Sequence, residues 1–207
     1  MTFTSSEREA LRASVKIRLS ERRFRHTEGV ADTACRIGSV LLPEQATELE
    51  CAALLHDIAK EMNERELLDI ARDSGILISK EDLNAPAVLH SLIGPAIILR
   101  DFPNFATYNI LSAVKNHTTG NKDMSIFDEI IFLSDYIEEG REYKPCVETR
   151  QYFFESFSPC ASYEDNVNAL HRAAIKSLEY TEKSLSFRGL PVHSRSRLAK
   201  ISLKSLI

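Results

Sequence analysis

Glycine and proline are scarce, with seven of each in 207 residues. So few chain-turning residues exclude a protein of many short strands and favour long helices. No apolar run approaches the ~20 residues needed to cross a bilayer. The opening, "MTFTSSEREALRASVK", holds no apolar stretch of the signal-peptide kind, so the expected address is cytoplasmic. Cysteine is limited to Cys35, Cys51, Cys146 and Cys160. Their wide spacing, without a C-x-x-C pair, argues against a zinc knuckle or disulfide framework and predicts buried free thiols. A basic excess is also missing: the net charge is −4, which argues against general nucleic-acid binding.

What is present is 43% hydrophobic and 27% charged residues, the composition of a soluble globular domain with a real core. Residues 6–19 carry Leu11, Val15 and Leu19 at a spacing of four, and 26 to about 42 carry Val30, Thr33, Ile37, Val40 and Leu41. Pro43 breaks that stripe and can open a third helix, 43 to about 60, with Leu49, Ala52 and Ala53 on one side. Residues 63–74 are helical up to Gly75, and "ISKEDLNAPAV" is a loop or short turn. "LHSLIGPAIILRDF" is helical in character, with Pro95 either kinking it or marking its first turn. Further helices are predicted in "FATYNILSAVKNH" and "SIFDEIIFLSDYIEEG" and over 145–157 and 164–187. No strand-like alternation or internal repeat interrupts this series. The expected architecture is all-α, one domain over 1–187 with a tail, 188–207, of no assigned role.

Six histidines stand at 26, 56, 90, 117, 171 and 193. His26 and His56 fall on the apolar sides of their helices. Taken singly, such a residue is more often a hydrogen-bonded core histidine than a ligand. Asp57 shifts that balance. It projects about 100° round the helix from His56, so one ion at the helix end can reach both side chains. Lys60, at i+3 and i+4, shares their side. A carboxylate at the rim of a core needs its charge compensated, by a divalent cation or by Lys60 alone. Asp135 lies at the edge of an apolar face where it can look into a cleft; Asp128, two turns earlier, is expected to face solvent. "RLSERRFRH" places Arg18, Arg22, Arg23 and Arg25 just before His26, a solvated helix end in the plain reading. Together His26, His56, Asp57 and Asp135 form a mixed nitrogen and oxygen set from three helices, suited to Fe, Mn, Zn or Co. So few protein ligands leave positions open for water or substrate.

Assembled in this way, the sequence resembles the HD-domain phosphohydrolase superfamily, with its H…HD…D signature on a helical bundle. Within it the chain resembles the YqeK-type family, the symmetrical diadenosine tetraphosphate hydrolases of bacteria. The matching blocks are "RFRHTEGV" (23–30), "AALLHDIAK" (52–60), "LHSLIG" (89–94), "NHTTG" (116–120) and "LSDYIEEGR" (133–141), in the family's order over a core of 23–141. The resemblance implies one metal, commonly iron, held by His26, His56, Asp57 and Asp135. It implies that His90 and His117 stand beside the open positions and touch phosphate. Arg23, Lys60, Thr118 and Arg141 match positions on the nucleotide diphosphate, with Asp135 also facing substrate. Asp57, Lys60, His90 and His117 would carry the catalytic roles. The implied substrate is a dinucleoside polyphosphate and the product ADP, in a homodimer without nucleic-acid or membrane partners. Two positions depart from the family: Lys122 in "GNKDMS", where many relatives carry Gly-Arg, and Pro95, where a small helix former is usual. His193 is read as a mobile tail residue and His171 as packing. Two other readings stay open: a different HD-type nucleotide phosphatase or phosphodiesterase on the same fold, and a non-catalytic module that binds metal or nucleotide.

Overall fold

Helix starts in this chain are set by short polar side chains that accept otherwise unpaired backbone N–H groups. In the computed structural model, which describes residues 2–207, Thr4 caps α1 (Ser5–Arg18) and Ser20 caps α2 (Glu21–Leu41). Asn63 caps α4 (Glu64–Asp73), Ser79 caps α5 (Lys80–Leu83), and Thr107 caps α7 (Tyr108–Asn116). Ser125 and Ser162 cap α8 (Ile126–Ile137) and α10 (Tyr163–Phe187). The remaining helices are α3 (Ala46–Leu55), α6 (Leu89–Asp101), α9 (Lys144–Ser156) and α11 (Ser194–Lys204). Pro43, Pro86 and Pro103 each open a short 3-10 turn, where the missing N–H costs nothing. No strand occurs among the described residues, and no helix there is long and apolar enough to cross a membrane. The chain is a single all-α domain.

The long α2 lies between α3 and α8, while α7 packs against α3, α6 and α8. Val30, Ile37, Leu49, Leu54, Ile93, Ile110 and Ile130 fill the resulting core and are fully buried. Pro95 sits inside α6, not in its first turn. The residue before it explains why the helix tolerates it there. A Cβ on Gly94 would stand 2.7 Å from Val114 Cγ1, so α6 and α7 approach closely at this point and the packing offsets the lost hydrogen bond.

Several expectations change. The third helix stops at Leu55, five residues early. Beyond it Ile58, Lys60 and Met62 donate to the carbonyls three residues back, a tighter winding than an α-helix. The loop in "ISKEDLNAPAV" contains α5 and a 3-10 turn. Asp128 is buried instead of facing solvent, and its carboxylate accepts the Ser125 N–H and hydroxyl in a capping box. Cys51 and Cys146 are buried, Cys35 is half-buried, and Cys160 is exposed. Residues 188–207 hold α11, whose Ala199 and Leu203 join Phe132, Ala174 and Leu178 in a second apolar cluster. His193 is not mobile: it is buried, with Nε2 3.0 Å from Asp82 Oδ1.

Candidate active site

Three histidines are fixed by the same device. His26, inside α2, has Nδ1 3.0 Å from Glu138 Oε1. His56 follows the last residue of α3, and its Nδ1 lies 2.6 Å from the Ala53 carbonyl. His117 follows α7, with Nδ1 2.7 Å from the Val114 carbonyl. A carbonyl only accepts, so Nδ1 of His56 and of His117 carries the proton, and in the neutral ring Nε2 offers its lone pair. Each Nε2 is thereby turned toward two carboxylates, Asp57 and Asp135.

Asp57 faces two sides. Its Oδ2 lies 2.8 Å from Arg23 Nη1, 3.4 Å from His56 Nε2 and 3.9 Å from His26 Nε2. Asp135 Oδ1 lies 2.9 Å from His26 Nε2, 3.9 Å from His56 Nε2 and 2.6 Å from Arg141 Nη2. Burial opposes ionisation of both carboxyls. His56, His117 and His90 around Asp57, and His26 and Arg141 beside Asp135, outweigh it and hold both well below the usual carboxylate range. Two anions are therefore maintained at the rim of an apolar core.

Around Asp57 Oδ1 stands a second group. His90 Nε2 is 3.2 Å and His117 Nε2 3.4 Å from this oxygen, with Lys60 Nζ at 4.0 Å. His90 Nε2 also lies 3.0 Å from His117 Nε2, 3.1 Å from Thr118 Oγ1 and 3.2 Å from Lys60 Nζ. One imidazole nitrogen gives or takes a single hydrogen bond, so four polar neighbours oversubscribe it. An entering oxyanion would give Lys60 and Thr118 a better acceptor. Burial pushes the His90 pKa down to about 4, against the pull of Asp57, so this ring is neutral near pH 7.

The donor set fits a transition ion. His26 Nε2 and His56 Nε2 are buried without any hydrogen bond of acceptable geometry, which is costly unless another electrophile uses them. Ligand atoms of His26, His56 and Asp57 all fall within 4.8 Å of one another, as do those of His56, His117 and Asp135. Bonds of about 2.0–2.2 Å from one ion to nitrogen and oxygen donors require spacings of this order. The residues expected from sequence thus meet in one place, with Arg23, Lys60, Thr118 and Arg141 around them. Lys122 does not join them; it is exposed and lies 3.8 Å from Asp123. His171 is buried against Glu129 Oε2 at 2.8 Å. Glu138 is the residue sequence reasoning missed, although it stands in the quoted block "LSDYIEEGR". Its glutamate–glycine ending was the available signal, since Gly140 N–H donates to Glu138 Oε2.

The chain belongs to the HD domain family, whose model matches residues 23–140. It is an HD-domain hydrolase. Within that class it is 35% identical over 131 residues to a symmetrical bis(5'-nucleosyl)-tetraphosphatase of Halalkalibacterium halodurans, covering 62% of this chain and 67% of the relative. A protein of the same description from Bacillus subtilis is 31% identical, covering 70% of this chain and 76% of the relative. A solved structure from Clostridium acetobutylicum, described as an HD superfamily hydrolase involved in NAD metabolism, superposes with a TM-score of 0.80 at 28% identity. That match covers 99% of each chain, α11 included.

Proposed function

We propose that this chain is a metal-dependent hydrolase that splits diadenosine tetraphosphate symmetrically into two molecules of ADP. One observation carries the reading: buried imidazoles, anchored at Nδ1, turn Nε2 onto the Asp57–Asp135 pair while Arg23, Lys60 and Arg141 ring the same atoms. His26, His56, Asp57 and Asp135 would hold the ion, iron by family habit, with Mn, Co and Zn suited to the same donors. When bound, such an ion supplies an acidified water and polarises a phosphoryl oxygen. The chain's own cations then neutralise the nonbridging oxygens, Arg23 and Arg141 through planar forks and Lys60 as a point charge. His90, His117 and Thr118 exchange hydrogen bonds with phosphate at the Oδ1 side of Asp57. Asp57 is an ionised carboxylate at hand for the proton that water must lose.

The choice of an inner phosphorus rests on the symmetrical cleavage in the names of the relatives, and adenine on the resemblance to the diadenosine tetraphosphate hydrolases. Chromatography of the products from a nucleotide panel tests it. ADP alone from diadenosine tetraphosphate is expected. AMP with ATP, or turnover of a mononucleotide or of a nicotinamide dinucleotide in its place, would contradict the reading. His56→Ala and Asp57→Ala are each expected to lose bound metal and activity together, read by elemental analysis and rate on one preparation. A cytoplasmic homodimer completes the reading, and sedimentation of the purified protein checks the dimer.

A further inference from the structure

Asp57 divides the site into two flanks. Its Oδ1 meets His90, His117 and Lys60, and its Oδ2 meets Arg23 and His56. A substrate with two equal halves, cut at its middle, yields one nucleoside diphosphate that keeps the attacked phosphorus and a second that leaves with the bridging oxygen. The groups assigned so far serve a single diphosphate. On the Oδ2 flank a cleft of about 660 Å³ opens, walled by Arg22, Arg23, Arg25, His26 and Arg141. That volume is within the range of small-molecule sites.

The cations of this cleft differ in how far they are already neutralised. Arg23 and Arg141 turn inward to Asp57 and Asp135. Arg22 has neither a hydrogen bond nor an ion pair among the described residues. Arg25 has only a 4.0 Å approach to the exposed Glu21. Of the three acids lining the cleft, Glu61 accepts from the Ser20 N–H and hydroxyl, Glu138 accepts from Gly140 N–H while it stands against His26, and the exposed Glu142 opposes the arginines in part, leaving four arginines against three carboxylates. Arg22 and Arg25 also lie in the first turns of α2, the positive end of a long helix. No Phe, Tyr or Trp lines the cleft, and its one ring, His26, is turned to Glu138 and Asp135, so it offers no free platform on which a base could stack.

We propose that Arg22 and Arg25 form the subsite for the second, distal nucleoside diphosphate, holding its phosphates and leaving its base unread. The proposal rests on the hydrolase reading above. It is tested by calorimetry on the metal-loaded protein, using ADP and a methylene-bridged diadenosine tetraphosphate that resists cleavage. In Arg22→Gln/Arg25→Gln the analogue is expected to bind about ten-fold more weakly and ADP less than two-fold, as for two exposed charge-assisted contacts. Replacing one adenine of the analogue by guanine or uracil is expected to change its affinity less than two-fold. Equal losses for analogue and ADP, or no loss for either, would overturn the subsite. So would an analogue that binds the unaltered protein no more tightly than ADP. A strong demand for adenine in both halves would overturn the unread base. Because binding is read without turnover, failure of the unaltered protein to release ADP from the natural dinucleotide would count against the hydrolase reading separately.

Discussion

Glu138 governs His26 from the end of a different helix. One carboxylate oxygen stands 3.0 Å from His26 Nδ1, and the other accepts Gly140 N–H at 2.5 Å. Room for it is made by missing side chains: a Cβ at Gly29 would lie 2.5 Å from Glu138 Oε2, and one at Gly140 2.9 Å from the same atom. A partner of this kind sets which ring nitrogen is free and how basic it is. Glu138→Gln keeps the shape and removes the charge. Metal titration is expected to show roughly ten- to hundred-fold weaker binding, with an unchanged helical circular dichroism spectrum. Lys60→Met separates a second role. Lys60 reaches His90 from the Oδ1 flank and lies 4.0 Å from Asp57, beyond an ordinary hydrogen bond. The variant is therefore expected to keep its metal while kcat/KM for the tetraphosphate falls about ten-fold or more, on the scale of a lost charge-assisted hydrogen bond. Unchanged kinetics would return Lys60 to a counter-charge for Asp57.

At the scale of helices, α11 shows why part of the molecule was not legible in the sequence. The apolar stripes of α1, α2, α8 and α10 could be read directly, because a period of 3.6 places Val30, Ile37, Ile130 and Leu170 inward wherever the neighbours lie. His26, His56, Asp57 and Asp135 were legible through their order and blocks. Glu138 was not, since its role arises only when the end of α8 meets α2. His193 was missed for the same reason: its partner Asp82 is 111 positions away in the chain. The end of α3 was hidden because the winding tightens beyond Leu55, with Ile58 and Lys60 donating three residues back, a change that periodicity does not register. Once folded, α11 braces the turn that carries His117 and Thr118. Arg195 Nη2 donates to Asn116 Oδ1 at 3.0 Å, and Ser202 Oγ accepts from Asp123 N–H at 3.3 Å. Leu203→Ala, which empties part of the α8–α10–α11 cluster, is expected to cost about 2–5 kcal/mol and lower Tm by roughly 5–15 °C. A shift under about 2 °C in a thermal melt would mean that α11 contributes little to the cooperative fold.

For the whole molecule, the acid limb of stability follows from carboxylates whose pKa values folding lowers. Asp101, at the end of α6, is the cleanest case because it lies far from the acid–histidine cluster in its contacts. Its Oδ2 accepts from Arg18 at 2.6 Å, tying the end of α1 to that of α6, and its Oδ1 accepts from Arg100 at 2.7 Å. Arg100 pulls the carboxyl down most strongly, burial opposes it, and Arg18 adds to the pull, leaving the pKa at about 2. The sign follows from linkage: a depressed acid stabilises the fold fully above its unfolded pKa of about 3.9, and the contribution fades as pH falls toward the folded value. Glu129 works in the opposite direction. Burial raises its pKa despite His171, so the folded chain holds that proton more tightly and this group favours the fold less as pH rises through its titration. Comparing Asp101→Asn with the unaltered protein isolates the effect of Asp101, since Glu129 is common to both. The variant is expected to melt lower at pH 7, by a small margin because Arg18 and Arg100 are largely open to solvent and screened. The two melting temperatures should converge as pH falls from about 4 to about 2, and added salt should narrow the gap at pH 7. A difference that persists unchanged at pH 2 would place the effect of Asp101 in packing of the α6 end, not in its charge.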